Sequence, residues 1–392
     1  MRFRHPDGST VHVSYCTNVH AAEDFEGVLR QLVDYAEPVR RRLHRDRLGI
    51  GLWLARSAAR TLSEDPGTVR TLRTALESAG LEVVTLNGFP YQGFGDDRVK
   101  YRVYRPDWTE RARLDHTTDL ARLLSSLLPE DVTEGTISTL PLAWRTEFGP
   151  EARTAALANL GTLAQRLDAL EELTGRAIRV GLEPEPGCTV ETTADAVDAL
   201  TGSEAPPHHR VGVCLDTCHL AAGFEDPDAS LDALDEAGIP LVKCQLSAAL
   251  HAEHPALPGV RAALADFAEP RFLHQTRALT PAGLRYRDDL GEALAPGALP
   301  TAGPWRSHFH VPLHAPLAPP LTATLGELRR TLARLVGGPR PLTHHLEVET
   351  YTWQALPAAL RPQNRAQLAD GIAAELGVAR ELLTELGLKE LP

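Results

Sequence analysis

The 392-residue sequence predicts a (β/α)8 TIM barrel, an α/β fold of eight parallel strands ringed by helices. Three observations carry that prediction. Eight short β-like runs alternate with helical patterns, as in repeated βα units around a parallel sheet. The length suits one barrel domain over residues 1–392 with room for an insertion. Acidic and polar residues gather at the C-terminal ends of the runs, the end at which such barrels carry their sites.

The runs are Val11–His20, Leu48–Ala55, Val83–Pro90, Thr136–Trp144, Ile178–Pro186, Val211–Leu220, Pro240–Ala249 and His344–Thr352. Helical patterns fill the gaps. One covers about 109–127 behind Pro-Asp-Trp at 106–108, and one runs from Glu151 to Thr174 with Gly175 as its C-cap. The last lies at about 367–386. Between the seventh and eighth runs, residues 250–342 form an exception, rich in Pro, His and Arg and too irregular for one helix. Loops this long are usually functional or disordered, and a βα loop lies on the active-site face. This insertion is therefore expected to act as a lid, with a surface excursion as the plainer alternative.

Composition narrows the function. Hydrophobic residues make up 43%, enough for a large core, and the net charge is -12. So acidic a chain lacks the broad basic face that nucleic acid requires. The Arg40, Arg41, Arg42 and Arg45 cluster reads as a solvated helix face. No stretch approaches the roughly 18 apolar residues of a membrane span, and the first residues lack the apolar core of a signal peptide. Cys16, Cys188, Cys214, Cys218 and Cys244 are odd in number and irregular in spacing, which is no disulfide framework. A reducing, cytoplasmic location is expected. Cys214 and Cys218 as a metal pair is a weaker reading than Asp216, between them, as the ligand.

The run ends supply Asn18 and His20, Asn87, Glu183 and Glu185, Asp216 and His219, Lys243 and Gln245, and Glu347 and Glu349. A packed barrel interior favours Val, Ile and Leu. Carboxylates there are costly unless they are paired or converge on a cation. The oxygen-rich set suits a divalent ion such as Mn, Mg, Zn or Co. Period-two alternation puts Glu183 and Glu185 on one face, and likewise Glu347 and Glu349. Which acid of each pair binds stays open at this point. His20, Asn87, Glu185, Lys243 and Glu347, with His274 and Arg277 of the insertion, are candidate substrate contacts. Trp53, Phe89, Trp144 and Trp353 are candidate apolar walls or ordinary packing.

The segment GVCLDTCHLAAG at 212–223 resembles the sixth-strand motif of the endonuclease IV family, one of the xylose isomerase-like barrels. The resemblance implies Asp216 and His219 as metal ligands. LEPEPG implies Glu183, and VETYTW favours Glu349 over Glu347. Gln245 stands at the seventh-strand position, where hydroxypyruvate-isomerase-like members use Gln. The ends of runs two and three, GLWLA and LNGFPYQGF, lack the nuclease histidines, which removes one site of a trinuclear nuclease. RSHFHVPLH places His308 and His310 where the nuclease family has an Asp-x-His pair. His219, His308 and His310 would then hold a second ion; otherwise His219 binds substrate, as in the sugar epimerases.

Together, YCTNVH, LNGFPYQGF, STLPLAW, CLDTCHLA and LEVETYTW most resemble the metabolite traffic protein EboE family. That resemblance implies processing or trafficking of a secondary-metabolite precursor and names no reaction. The resemblance to the wider xylose isomerase-like barrels implies a metal-dependent isomerase or epimerase of a small polyhydroxylated or hydroxy-carbonyl compound. Glu183, Glu349 and His219 would be its catalytic groups. A divalent-metal phosphoesterase-like hydrolase and a non-catalytic metabolite carrier are the alternatives. The implied partner is a small metabolite; self-association and contact with other Ebo-operon proteins stay open.

Overall fold

The computed structural model describes residues 1–315 and 317–392. Eight parallel strands close into a barrel: β1 (Thr10–Cys16), β2 (Leu48–Trp53), β3 (Leu81–Asn87), β4 (Glu134–Thr139), β5 (Ala177–Leu182), β6 (Val211–Asp216), β7 (Leu241–Leu246) and β8 (His345–Val348). Each pairs in parallel with the next, with register shifts at Gly49/Gly51 and Val213/Cys214, and β8 pairs in parallel with β1, with His345 opposite His12 and Val348 opposite Tyr15. All eight lie on the predicted runs. The polar tails of those runs straddle the ladder ends: Asn87, Asp216, Gln245 and Glu347 are still paired, while Asn18, Glu183, His219 and Glu349 lie just past them, where the chain turns into short helices or loops.

The helices follow from capping and pattern. Pro150–Thr174 begins with Pro in its first turn and ends at Gly175, whose φ of 68° only glycine adopts without strain. Arg111–Leu127 and Arg365–Glu385 occupy the other two predicted positions, the second capped by the Asn364 side chain on the Gln367 amide. The bottom of the barrel is covered by Arg2–Arg4, antiparallel to β1 and to Lys389–Glu390.

The stretch after β7 is more ordered than its composition suggests. Leu250–Ala252, Thr276–Thr280, Gly283–Arg287, Trp305–Ser307 and Thr322–Ala323 form a separate five-stranded antiparallel sheet. Trp305 and Phe309 are buried in the same apolar core as Val13 and Ile50 of the barrel. The expected insertion boundary of 342 is too far along the chain. Leu325–Val336 is an ordinary barrel helix packed on Pro227–Glu236, with Arg330 and Arg334 paired to Asp226, Asp228 and Asp232. The inserted part is therefore about residues 250–324.

Inside the barrel, Lys243 and Glu347 form an ion pair at 3.1 Å with both side chains wholly buried. Burial works against the ammonium, but the charge of Glu347 together with those of Cys214, Cys16 and Glu183 outweighs it and holds the lysine pKa above its ordinary value. Glycine at position 51 makes room for this pair: a Cβ there would stand 1.9 Å from a Glu347 carboxylate oxygen.

Candidate metal centre and cavity

One layer above this pair, toward the C-terminal ends of the strands, the acids have no Lys or Arg partner among the described residues. Glu183, Asp216 and Glu349 are buried, and each offers an oxygen within 4.8 Å of the others'. Asp216 divides its two oxygens. Oδ1 accepts from the Cys218 amide at 2.7 Å, the His219 amide at 3.0 Å and the Ser247 hydroxyl at 2.7 Å, which caps the helix Thr217–Ala222. Oδ2 has no partner. Glu183 Oε2 and both amide atoms of Gln245 are likewise buried and unpartnered. Gln245 lies opposite Asp216 in the β6–β7 ladder and opposite Glu347 in the β7–β8 ladder.

Buried acceptors without donors are rare because each forfeits its hydration. Here they face one another, and the effect shows in their acidity. Burial, then the charges of Asp216 and Glu347, pushes the Glu349 carboxyl up to about 8. Burial, then Glu349 and Asp216, holds Glu183 well above the ordinary range. Asn18 and Asn87 partly offset this by donating to Glu349 Oε1 at 2.7 and 2.8 Å. A hard or borderline divalent cation is the partner such a set lacks.

Next to the acids three imidazoles converge, and their outer hydrogen bonds orient them. His219 Nδ1 faces the Pro184 carbonyl at 2.9 Å, so that nitrogen carries the proton. His310 Nδ1 faces the Glu349 backbone carbonyl at 2.5 Å, and His308 Nδ1 faces the side-chain Oε1 of Gln275 at 2.8 Å. The three Nε2 atoms are left inward. Those of His219 and His308 stand 3.0 Å apart. That of His310 has no hydrogen-bond partner and is 3.9 Å from Asp216 Oδ2. Burial lowers the His310 pKa to about 4 and the His308 pKa well below its usual value, the second with help from neighbouring imidazoles. Asp216, His219 and His310 offer atoms within 4.8 Å of one another, as do Cys218, His308 and His310. Asp216 thus belongs to both the carboxylate and the imidazole groups.

Local folding explains the convergence. The strand Trp305–Ser307 runs into His308, and alternation sends His308 and His310 toward the mouth while Phe309 packs back against Phe267 and His274. The Val311 amide bonds to the Ala248 carbonyl at 2.9 Å, which ties this segment to the exit of β7.

A cavity of about 60 Å³ lies above the centre, room for a handful of waters. Among the predicted residues, Asn87, Glu183, Glu185, His219, His308, His310 and Glu349 line it. Glu185 accepts from the Tyr104 hydroxyl at 2.7 Å and from Gln275 at 3.3 Å. The other candidate contacts are engaged elsewhere. Lys243 and Glu347 bind each other below the floor. His20 contacts Tyr15 and stacks on Tyr35. His274 spends both nitrogens on Glu269 and the His308 carbonyl, and Arg277 pairs with Glu191. Of the candidate walls only Phe89 lines the cavity; Trp53 and Trp144 pack on its lining residues Phe94 and Tyr104, and Trp353 packs on Gly371 and His314.

Sequence reasoning missed Tyr104, Gln275, Tyr351 and Glu375. Glu375, far along the last helix, accepts from Thr350 at 2.6 Å and Trp353 at 3.1 Å, and so braces the segment that carries Glu349. Tyr351 stood inside a quoted motif. For Tyr104 and Glu375 no local signal exists, because their partners are remote in sequence.

The model of the xylose isomerase-like TIM barrel family matches residues 49–261, more than half of the chain. The chain belongs to that family. Among solved structures, a provisionally named sugar phosphate isomerase/epimerase of Anabaena variabilis superposes with a TM-score of 0.52 at 12% identity, covering 96% of this chain and 100% of its own. D-allulose 3-epimerase of Methylomonas sp., in complex with D-allulose, gives 0.47 at 12% identity over 97% and 99% of the two chains. A xylose isomerase-like TIM barrel protein of Mycobacterium smegmatis, in complex with magnesium, gives 0.46 at 15% identity over 97% and 94%. At these identities the likeness speaks for the fold. None of the curated proteins matches the chain. No helix among the described residues is long and apolar enough to cross a membrane.

Proposed function

We propose that this barrel is a divalent-metal-dependent isomerase or epimerase of a small polyhydroxylated or hydroxy-carbonyl metabolite. The observation that carries the reading is the pair Glu183 and Glu349, two buried carboxylates grouped with Asp216 at the floor of one cavity. Glu183, Asp216 and Glu349, with Gln245 beside them, would hold the ion, which supplies Lewis-acid polarisation of a bound carbonyl. Two carboxyls at one floor suit proton removal from a carbon and return to it or its neighbour. Asn18 and Asn87 fix Glu349 in place, Glu185 stands nearby as a further acid–base group, and His219 would orient a hydroxyl. Sequence motifs like those of the EboE family support a substrate drawn from secondary metabolism.

The test is solvent exchange. Mn-loaded protein incubated with ketoses and aldoses in D2O should incorporate deuterium at the carbon next to the carbonyl, and Glu183→Gln and Glu349→Gln should each abolish it. Absence of exchange across a broad hydroxy-carbonyl panel, with metal bound, would sink the reading.

One observation favours a second reading. The inward Nε2 atoms of His219, His308 and His310 beside Asp216 suit a second ion, and paired ions serve hydrolysis of a phosphate ester. Two equivalents of tightly bound metal together with phosphatase turnover would favour it over the first.

A further inference from the structure

The cavity has two unlike halves. Its floor is polar and acidic, as described. Its roof is made by Phe89, Phe94, Val99 and Val103 after β3 and by Phe272 and Leu273 of the insertion. Phe94, Phe272 and Tyr351 close over it with ring centroids 5.0 to 5.5 Å apart. The roof contains one cation, Lys100, and its ammonium is already paired with Asp289 and faces the Glu269 carbonyl at 3.4 Å. Among the described residues no arginine lines the cavity, while Glu183, Glu185 and Glu349 do.

Recognition of a phosphate needs donors that are cationic or are presented as a cluster of free amides. With Glu183 and Glu349 engaged by the ion at the floor, the rest of the lining offers an anion the Glu185 carboxylate and a lysine that is already neutralised. An apolar group, by contrast, would replace water against aromatic rings and gain roughly the usual amount per buried methylene. We infer that the site takes an uncharged ligand of two parts, a polyol or hydroxy-carbonyl head for the floor and an aromatic or aliphatic group for the roof, rather than a sugar phosphate. The inference rests on the isomerase or epimerase reading and narrows its substrate class. A void of about 60 Å³ holds little beyond the head, so admitting the apolar group requires the Phe94–Phe272–Tyr351 closure to part.

Isothermal titration of Mn-loaded protein with three probes that share one polyol ring tests this: glucose, glucose 6-phosphate and phenyl β-D-glucopyranoside. The phenyl glucoside should bind about tenfold or more tighter than glucose, and the phosphate more weakly than glucose. Phe94→Ala and Phe272→Ala, each checked for an intact melting transition, should erase most of the phenyl advantage. Because truncating a buried ring can unfold a protein, Val103→Lys at a half-buried roof position gives an independent readout. It should raise the affinity for glucose 6-phosphate relative to glucose about tenfold. A phosphate that binds the parent as tightly as the phenyl glucoside overturns the inference, as does a phenyl advantage that survives both ring truncations. If glucose binds and the phenyl group adds nothing, this inference alone falls. If none of the three binds, the polyol reading falls with it.

Discussion

Glu347 and Glu349 sit two residues apart on one strand end, face the same interior and are both buried, yet they live in different electrostatic regions. The deeper layer is internally neutral, because Glu347 bonds Lys243 at 3.1 Å and accepts from Ser14 at 3.3 Å. The mouth layer is not, because Glu349 meets Glu183 and Asp216 and only amide donors answer it. A barrel can therefore bury carboxylates for two ends. Where the chain supplies the cation, the acid is part of the scaffold; where it withholds one, the acid is kept for something that binds.

The largest expected effect breaks the neutral layer. Lys243→Met leaves Glu347 buried without its partner and should destabilise the protein by about 3–5 kcal/mol in urea unfolding. The matching change at the mouth, Glu349→Gln, should be near neutral or stabilising without metal, because it relieves repulsion between like charges. Equal losses from the two variants would erase the distinction between the layers.

Asp216→Asn sharpens the comparison from the metal side. An asparagine oxygen can still cap the helix Thr217–Ala222, so the variant should fold, but it offers an ion no charge. Titration with Mn or Zn should show a loss beyond the roughly 10–100-fold that removing an outer-shell partner costs. Unchanged affinity would remove Asp216 from the centre.

The pH response of the metal-free protein separates the layers again. Glu349 rises from 4.5 to about 8 on folding. A carboxyl raised in this way favours the fold fully below about 4.5, and that contribution is lost as pH climbs through about 8. Relative to Glu349→Gln, chelated protein should accordingly lose melting temperature across that window; the lowered His308 and His310, which penalise the fold only below about 6.5, act alike in both. Saturating metal should oppose that loss, since the ion stabilises the ionised form. Stability of the chelated parent that rises from pH 5 to 8 relative to Glu349→Gln contradicts the assignment.

The smallest effect belongs to Ser14→Ala. Its long bond to Glu347 is secondary to Lys243, so the change should stay within about 1 kcal/mol and leave metal affinity untouched.

Much of this architecture is legible in the chain itself. Each barrel strand announces itself as an apolar run followed by polar residues, since inner and outer faces of the strands are both covered. Asp216 and His219 are legible through a compact motif that one strand and one helix turn hold together. The insertion is not legible in detail. Its strands are two to five residues long and pair antiparallel across separations such as Leu250–Ala252 with Trp305–Ser307, so their order depends on long-range closure.

By itself, then, the sequence determined the parallel barrel, the acidic end of it and the residue types suited to a divalent ion, because strand periodicity and strand-end chemistry are local properties. Tertiary structure decided the rest. Alternation puts Glu347 and Glu349 on one face but carries no information about depth, and depth is what gives Lys243 to one and leaves the other to a ligand. The same holds for His308 and His310, whose nitrogens reach His219 and Asp216 only once the separate sheet docks on the barrel mouth. Charge compensation depends on distance in space, which a chain acquires only by folding.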